Sequence, residues 1–153
     1  MDRGFFTAGI EACSEMMYRV AWSILRNDAD VQDALQDAVL KAWEKRDRLQ
    51  EERYFRTWLT RILINVCYDA QRKRRPAVPL DRVPAHASAS APDPDLAIAL
   101  EAVPEKLRLP LVLCYSEGMS YEEAADVLRI PVSTVRGRLR RGKDALRKEL
   151  SAE

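Results

Sequence analysis

Apolar residues recur along this 153-residue chain at spacings of three and four, the period of helices that bury one side. From about Phe5 to Leu25 the repeating positions are Ile10, Met17, Val20, Ala21, Ile24 and Leu25. Asn27, Asp28 and Asp30 then supply a break and a cap, after which Val31, Ala34, Leu35, Ala38, Val39, Ala42 and Trp43 trace a second stripe. A third segment, from about Tyr54 to Arg72, turns Phe55, Trp58, Leu59, Ile62, Leu63 and Val66 inward. It leaves Arg56, Thr60, Arg61, Asn65 and Tyr68 outward and ends in the run Arg72, Lys73, Arg74 and Arg75. Further on, Leu96 to Val103 reads as a short helix closed by Pro104, and Glu105 to Glu117 as another stopped by Gly118. Pro110 falls inside the latter, where its missing N–H and crowding ring predict a kink or a late start between Glu105 and Leu109. Leu107, Leu111, Val112, Leu113 and Tyr115 are expected to form a floor for the residues that follow. No segment alternates convincingly with the period of a strand. The fold is therefore expected to be all-α, in two small helical domains.

Ser120 to Lys148 carries the most specific pattern, two short helices around a tight turn. Ser120 and Glu123, three residues apart, form a capping box ahead of an apolar face of Ala124, Ala125 and Leu128. Ile130 and Pro131 close this helix, because proline disfavours the helical conformation in the residue before it. Ser133 or Thr134 can cap the next helix, whose inward stripe is Val135, Leu139, Gly142, Leu146 and Leu150. Turning about 100° per residue puts Ser133, Gly137, Arg140 and Arg141 on the opposite side, with Arg136 and Lys143 on a flank. This is the layout of a helix-turn-helix.

Net charge alone excludes little, since 25 basic residues face 24 acidic ones. Locally the balance is lopsided, with eight basic residues and one acidic residue, Asp144, between Arg129 and Lys148. Such an excess is the footprint of a phosphate-binding element, and guanidinium groups also reach guanine edges in a major groove. A merely solvated amphipathic helix has the same charges. The capped preceding helix and the turn favour DNA.

Residues 76–95, PAVPLDRVPAHASASAPDPD, hold five of the eight prolines and few large apolar side chains. They predict a flexible tether, residues 76–94, between domains at 1–75 and 95–153. Val78 to Val83 could instead pack as an ordered loop. Cys13, Cys67 and Cys114 are far apart in apolar helical patterns and read as reduced core thiols of a cytosolic protein. His86 stands alone among alanines and serines, without the neighbouring ligands that a zinc site needs. No apolar run is long enough for a membrane span, and Met1 to Gly9 lacks the pattern of a secretory signal. No cofactor, metal or membrane contact is expected.

Two further surfaces stand out in the first half. Asp33, Gln36, Asp37 and Leu40 project together from the second helix, an acidic and amide face around one leucine that suits either solvent or a docked partner. In the third helix Asn65 interrupts the apolar run ILINVC although asparagine has poor helix propensity, which marks it for base contact or for a capping or buried hydrogen bond. Tyr54, Phe55 and Trp58 are all candidate stacking residues. The spacing of Phe55 and Trp58 on the inward stripe favours a core role for them and leaves Tyr54 for a base.

DADVQDALQDAVLKAW (Asp28 to Trp43) and FRTWLTRILINVCYDAQRKRR (Phe55 to Arg75), followed beyond the tether by VPEKLRLPLVLCYSEGMSYEEAADVLRIPVSTVRGRL (Val103 to Leu139), together resemble a sigma-70 family factor of the extracytoplasmic-function group. The resemblance covers nearly the whole chain and implies a dissociable specificity subunit of bacterial core RNA polymerase, cytoplasmic and without catalysis of its own. It implies that Asp33, Gln36, Asp37 and Leu40 dock on the clamp helices of the largest core subunit. Leu49, Tyr54, Arg61, Asn65, Arg72, Lys73, Arg74 and Arg75 would act at the promoter's minus-10 element, the amide and aromatic groups on unpaired bases and the basic groups on phosphates. Arg136, Gly137, Arg140 and Arg141 would meet the minus-35 duplex in the major groove, with Ser133, Thr134 and Arg138 on phosphates. The family also implies an anti-sigma protein, often membrane-anchored, that masks these faces.

The chain departs from the family pattern at three places. Arg129 stands where glycine is usual in the turn, residues 49–53 (Leu49, Gln50, Glu51, Glu52 and Arg53) where an aromatic and a glycine are common, and Ser133 where glycine is frequent. The rival function is a self-sufficient regulator that binds operator duplex as a dimer. No Gly-rich phosphate loop, metal-ligand cluster or activated nucleophile points to an enzyme.

Overall fold

Side-chain and backbone caps fix where the helices of this computed structural model begin. It describes residues 1–73 and 94–151, which fall into two compact units. In the first unit, Asp2 Oδ1 accepts from the Phe5 N–H at 2.7 Å and starts α1 (Arg3–Leu25) two residues before the apolar repeat predicts. Arg26 ends that helix in the left-handed region, with φ 55°. The Asn27 side chain accepts from the Asp30 N–H at 3.0 Å and starts α2 (Asp28–Glu44), as its position predicts. Two short 3₁₀ turns, Arg46–Arg48 and Glu52–Tyr54, lead into α3 (Phe55–Lys73).

The core of this unit gathers around α3, which packs against both α1 and α2. Val20, Val31, Leu59, Leu63 and Cys67 are wholly buried and Met17 nearly so. Being sandwiched widens the buried arc of α3 beyond a single stripe. Ile64 is buried as well, and Thr60, expected outward, has no exposed surface at all. Its hydroxyl is tolerated because it donates to the Arg56 carbonyl at 2.7 Å and lies 3.6 Å from Met16 Sδ. Trp58 is half-buried, against the ring of Phe55.

The second unit is built from α4 (Pro94–Ala102), α5 (Glu105–Leu111), α6 (Tyr121–Leu128) and α7 (Val132–Ser151). No strand occurs among the described residues. The Leu107 and Arg108 N–H groups both reach the Pro104 carbonyl at 2.9 Å, so α5 starts at Glu105 and the late start expected from Pro110 does not occur. The irregularity comes after the proline. Val112–Ser116 form a π turn, in which the Glu117 N–H reaches back five residues to the Val112 carbonyl at 2.9 Å. This turn carries Tyr115 outward to 53% exposure, so Tyr115 is no part of the floor. Leu109, Leu111, Val112 and Leu113 form it, with Leu107 half-buried. Arg108 is buried beside them and donates from Nη1 to the Val103 carbonyl at 3.0 Å, tying α5 to the end of α4.

The capping box forms as its spacing predicts: Ser120 Oγ accepts from the Glu123 N–H at 3.0 Å and the Ser120 N–H donates to Glu123 Oε1 at 2.9 Å. Ala124 and Ala125 are buried, but Val127 joins them where Leu128 was expected, and Leu128 is half-buried. The helix stops because Arg129 takes a left-handed conformation, φ 57°, at the position where glycine is usual. The next helix begins sooner than Ser133 or Thr134 could cap it. The Thr134 and Val135 N–H groups bond the Pro131 carbonyl at 3.0 and 3.1 Å, placing both hydroxyl residues inside the first turn of α7. Val135, Leu139 and Gly142 are buried, Leu146 is half-buried, and Leu150 is 50% exposed. Arg74, Arg75, His86 and linker residues 76–93, Val78 to Val83 among them, lie outside the described residues.

A Cβ on Gly142 would stand 3.0 Å from Leu111 Cδ1 and 3.2 Å from the Leu107 carbonyl oxygen. Gly142→Ala should therefore destabilise the second unit by about 1–3 kcal/mol despite its better helix propensity, as measured by urea unfolding. Burial pushes the Cys67 thiol up to about 12. An unfolded thiol ionises near pH 8.5, so stability from this group is intact below about that pH and declines toward pH 12. Unfolding midpoints across that window should fall more steeply for the parent than for Cys67→Ala.

Candidate nucleic-acid interface

α7 turns its core stripe against the floor, and the same turn fixes what faces solvent. Ser133, Arg136, Arg140 and Arg141 are exposed, while Thr134, Gly137 and Arg138 are intermediate. None of the four arginines, Arg136, Arg138, Arg140 and Arg141, pairs with a carboxylate among the described residues. Arg147, by contrast, lies 3.5 Å from Asp144 one turn back. Arg136 and Arg140 line a shallow recess together with Tyr121, Leu139, Lys143, Asp144 and Arg147. Four of these seven groups are cationic, which suits the recess to an anion such as a phosphate.

Lys143 is held in a way the sequence pattern did not announce. Its Nζ lies 4.7 Å from the centroid of the Tyr115 ring, and its hydrogen bond to Tyr115 pushes the ammonium above its ordinary value. The same bond, reinforced by one from Tyr121, holds the Tyr115 hydroxyl below its usual range. The trio depends on the π turn that exposes Tyr115.

In the first unit, Asp33, Gln36, Asp37 and Leu40 are all exposed on one side of α2, over a span of about 10 Å along the axis. Leu40 is 62% exposed, and Asp37 lies 3.4 Å from Lys41. On α3, Asn65 is exposed, which removes the buried hydrogen-bond explanation for it. Arg61, Asn65, Tyr68 and Arg72 follow one another at spacings of four, three and four, a single outer stripe. Arg61 is half-buried, its Nε enclosed by the unit, so less of it is available to a phosphate than expected. Arg72 pairs with Asp69, leaving Lys73 as the freer cation at this end of the helix.

Leu49 is half-buried in extended backbone between the two 3₁₀ turns. Tyr54 is 49% exposed, with the Arg53 guanidinium 4.7 Å from its ring centroid. Tyr54 and Asn65 are separated by about 16 Å of helix rise. Phe55 is buried, as its position on the inward stripe predicts.

The chain matches the Sigma-70 region 2 family model over residues 10–77 and the Sigma-70 region 4 model over residues 96–146. It is 31% identical to the ECF RNA polymerase sigma factor SigW of Bacillus subtilis, across 97% of this chain and 90% of the relative. Among solved structures it resembles CnrH, in complex with the cytosolic domain of CnrY, at 30% identity, TM-score 0.75 and coverage of 97% and 88%. It shares its fold with the sigma factor RpoE of Bartonella quintana, in complex with the anti-sigma factor NepR, at 22% identity, TM-score 0.77 and coverage of 97% and 98%. The class defined by the paired helical units and the basic terminal helix is that of the sigma-70 factors. Within it, the chain belongs to the extracytoplasmic-function (ECF) sigma factors. Its family is one of transcription initiation factors and not of enzymes, and membership favours promoter selection with polymerase over a self-sufficient operator-binding regulator.

Gly137, unlike Gly142, is not required by packing. A Cβ there would meet only Arg141 Nη1, at 3.5 Å. Gly137→Ala should stabilise the unit by about 1 kcal/mol. Urea unfolding of the variant beside the parent checks this, a midpoint that does not rise being the contrary result.

Proposed function

We propose that the two units grip one transcription complex at separate points, α2 on the polymerase and α3 and α7 on promoter DNA. Asp33, Gln36, Asp37 and Leu40 dock on the clamp helices of the largest core subunit. An exposed leucine ringed by acidic and amide groups gains from burial against an apolar spot on a basic partner. Tyr54 and Asn65, with Leu49 at the loop, take unpaired bases of the minus-10 element, a ring to stack and an amide to donate and accept. Arg61, Lys73 and the basic run Arg72 to Arg75 neutralise phosphates. Arg136, Arg140 and Arg141 reach base edges of the minus-35 duplex, Gly137 allows close approach, and Ser133, Thr134 and Arg138 bond the sugar-phosphate backbone.

The observation that carries this reading is α7 itself, where Arg140 and Arg141 stand opposite Val135, Leu139 and Gly142 with Arg136 and Arg138 on the flanks, none of the four paired with a carboxylate among the described residues. The protein is cytoplasmic in this reading, where its polymerase works, and no helix among the described residues is long and apolar enough to cross a membrane. An anti-sigma protein, of a kind often membrane-anchored in this family, holds it inactive by covering these same faces. CnrH, 30% identical, is seen with the cytosolic domain of a second protein, which supports that regulation.

Run-off transcription with purified core polymerase tests the proposal. Arg140→Ala and Arg141→Ala should weaken use of the upstream element by about 1–3 kcal/mol per lost base contact while leaving core affinity intact. Asp33→Arg should do the reverse, lowering core affinity in a competition assay and leaving the recognition helix unchanged. Tight binding to operator duplex without polymerase, and no stimulation of run-off, would overturn the reading.

A further inference from the structure

Residues 45–54, which join α2 to α3, are fastened at both ends to one row of aromatic rings. At the start of this loop the Arg46 guanidinium lies 3.9 Å from the centroid of the Trp43 ring, and its Nη1 donates to the Trp43 carbonyl at 2.7 Å. Trp43 meets Phe6 edge-on, with centroids 5.0 Å apart. Phe6 in turn meets Phe55 at 6.1 Å, and Phe5 meets the same ring at 5.6 Å. Phe55 is the first residue of α3 and directly follows Tyr54, so it fixes the far end of the loop. The row thus runs from one end of the loop to the other through the first turns of α1.

Phe55 is 5% exposed although it begins a helix, and Gly9 makes the room for it. A Cβ on Gly9 would stand 2.6 Å from Phe55 Cε1 and 2.9 Å from Cζ, closer than real side chains approach. The ring has nowhere easy to go, because Phe5, Phe6 and Trp58 hold it on its other sides. Anything placed on Gly9 must therefore shift the start of α3, and with it Tyr54. The polymerase face on α2 and the α7 arginines carry no part of this row.

We propose that Gly9 and Arg46 are positioning residues for single-strand capture, Gly9 by admitting the Phe55 ring against α1 and Arg46 by pinning the loop to Trp43. The inference rests on the reading of Tyr54 and Asn65 as strand contacts. Neither residue touches the strand in this scheme. They set where the loop and Tyr54 stand when it arrives.

The test uses the full chain assembled with core polymerase and a fluorescent single-stranded oligonucleotide carrying the non-template minus-10 sequence. Gly9→Ala and Arg46→Lys should each weaken oligonucleotide binding on the order of tenfold while core affinity stays within about twofold, because a displaced loop no longer presents its groups in the binding geometry. Arg46→Lys keeps the charge and loses the planar stack, which separates positioning from phosphate attraction. Phe55→Leu added to Gly9→Ala should restore much of the lost binding by making space for the new methyl group. Unchanged oligonucleotide binding in both single variants, a parallel fall in core affinity, or no recovery in the double variant would overturn the proposal. Asn65→Ala is the separate gauge of the underlying reading: parental binding there would overturn strand capture by α3 itself, and this inference with it.

Discussion

Complete burial of one side of α3 is the constraint on which the first unit depends. Leu59, Leu63 and Cys67 have no exposed surface, and they are spaced so that only one rotation of the helix can satisfy all three. That rotation leaves Asn65 and Lys73 outside, whatever their individual preferences. Losing a methylene-rich side chain such as Leu63 would cost about 2–5 kcal/mol, far more than any surface contact could offset. Function on the outer face is therefore inherited from packing on the inner one.

The same logic holds in the second unit with different parts. Val135, Leu139 and Gly142 lock α7 to its floor, and the arginines are left to solvent as a consequence. Gly142 lets α7 and α5 approach closely, whereas Gly137, on the other side, has almost nothing of the protein near it. The two glycines in one helix thus answer different demands. One is required by the packing of the fold, and the other is not.

Features set by local chemistry were legible from residues alone. The Ser120 and Glu123 pair, the Asn27 cap and the exposed Asp33 to Leu40 face need only neighbours within a few positions. Features set by three-dimensional crowding were not. Thr60 is inside because two helices flank α3, and no period in a single helix records a second neighbour. Tyr115 is outside because of a π turn, which shifts a side chain without changing the composition that suggested a floor. Ser133 and Thr134 are good caps by type, but the Pro131 carbonyl begins the helix first. Arg129 was identifiable as unusual for its turn, and its left-handed backbone is what that departure becomes in space. The link between Gly9 and Phe55 spans 46 residues of sequence and leaves no local trace.

The π turn at Val112–Ser116 amounts to one residue more than a regular helix would use over the same length. Deleting a single residue there would leave the backbone just as able to hydrogen-bond. It would, however, rotate the end of that segment by about 100° about its axis. The aromatic ring now available to Lys143 would turn away, and the entry into the capped helix at Ser120 would be re-aimed. Length in this short stretch thus acts as an angular setting for the DNA-facing end of the molecule.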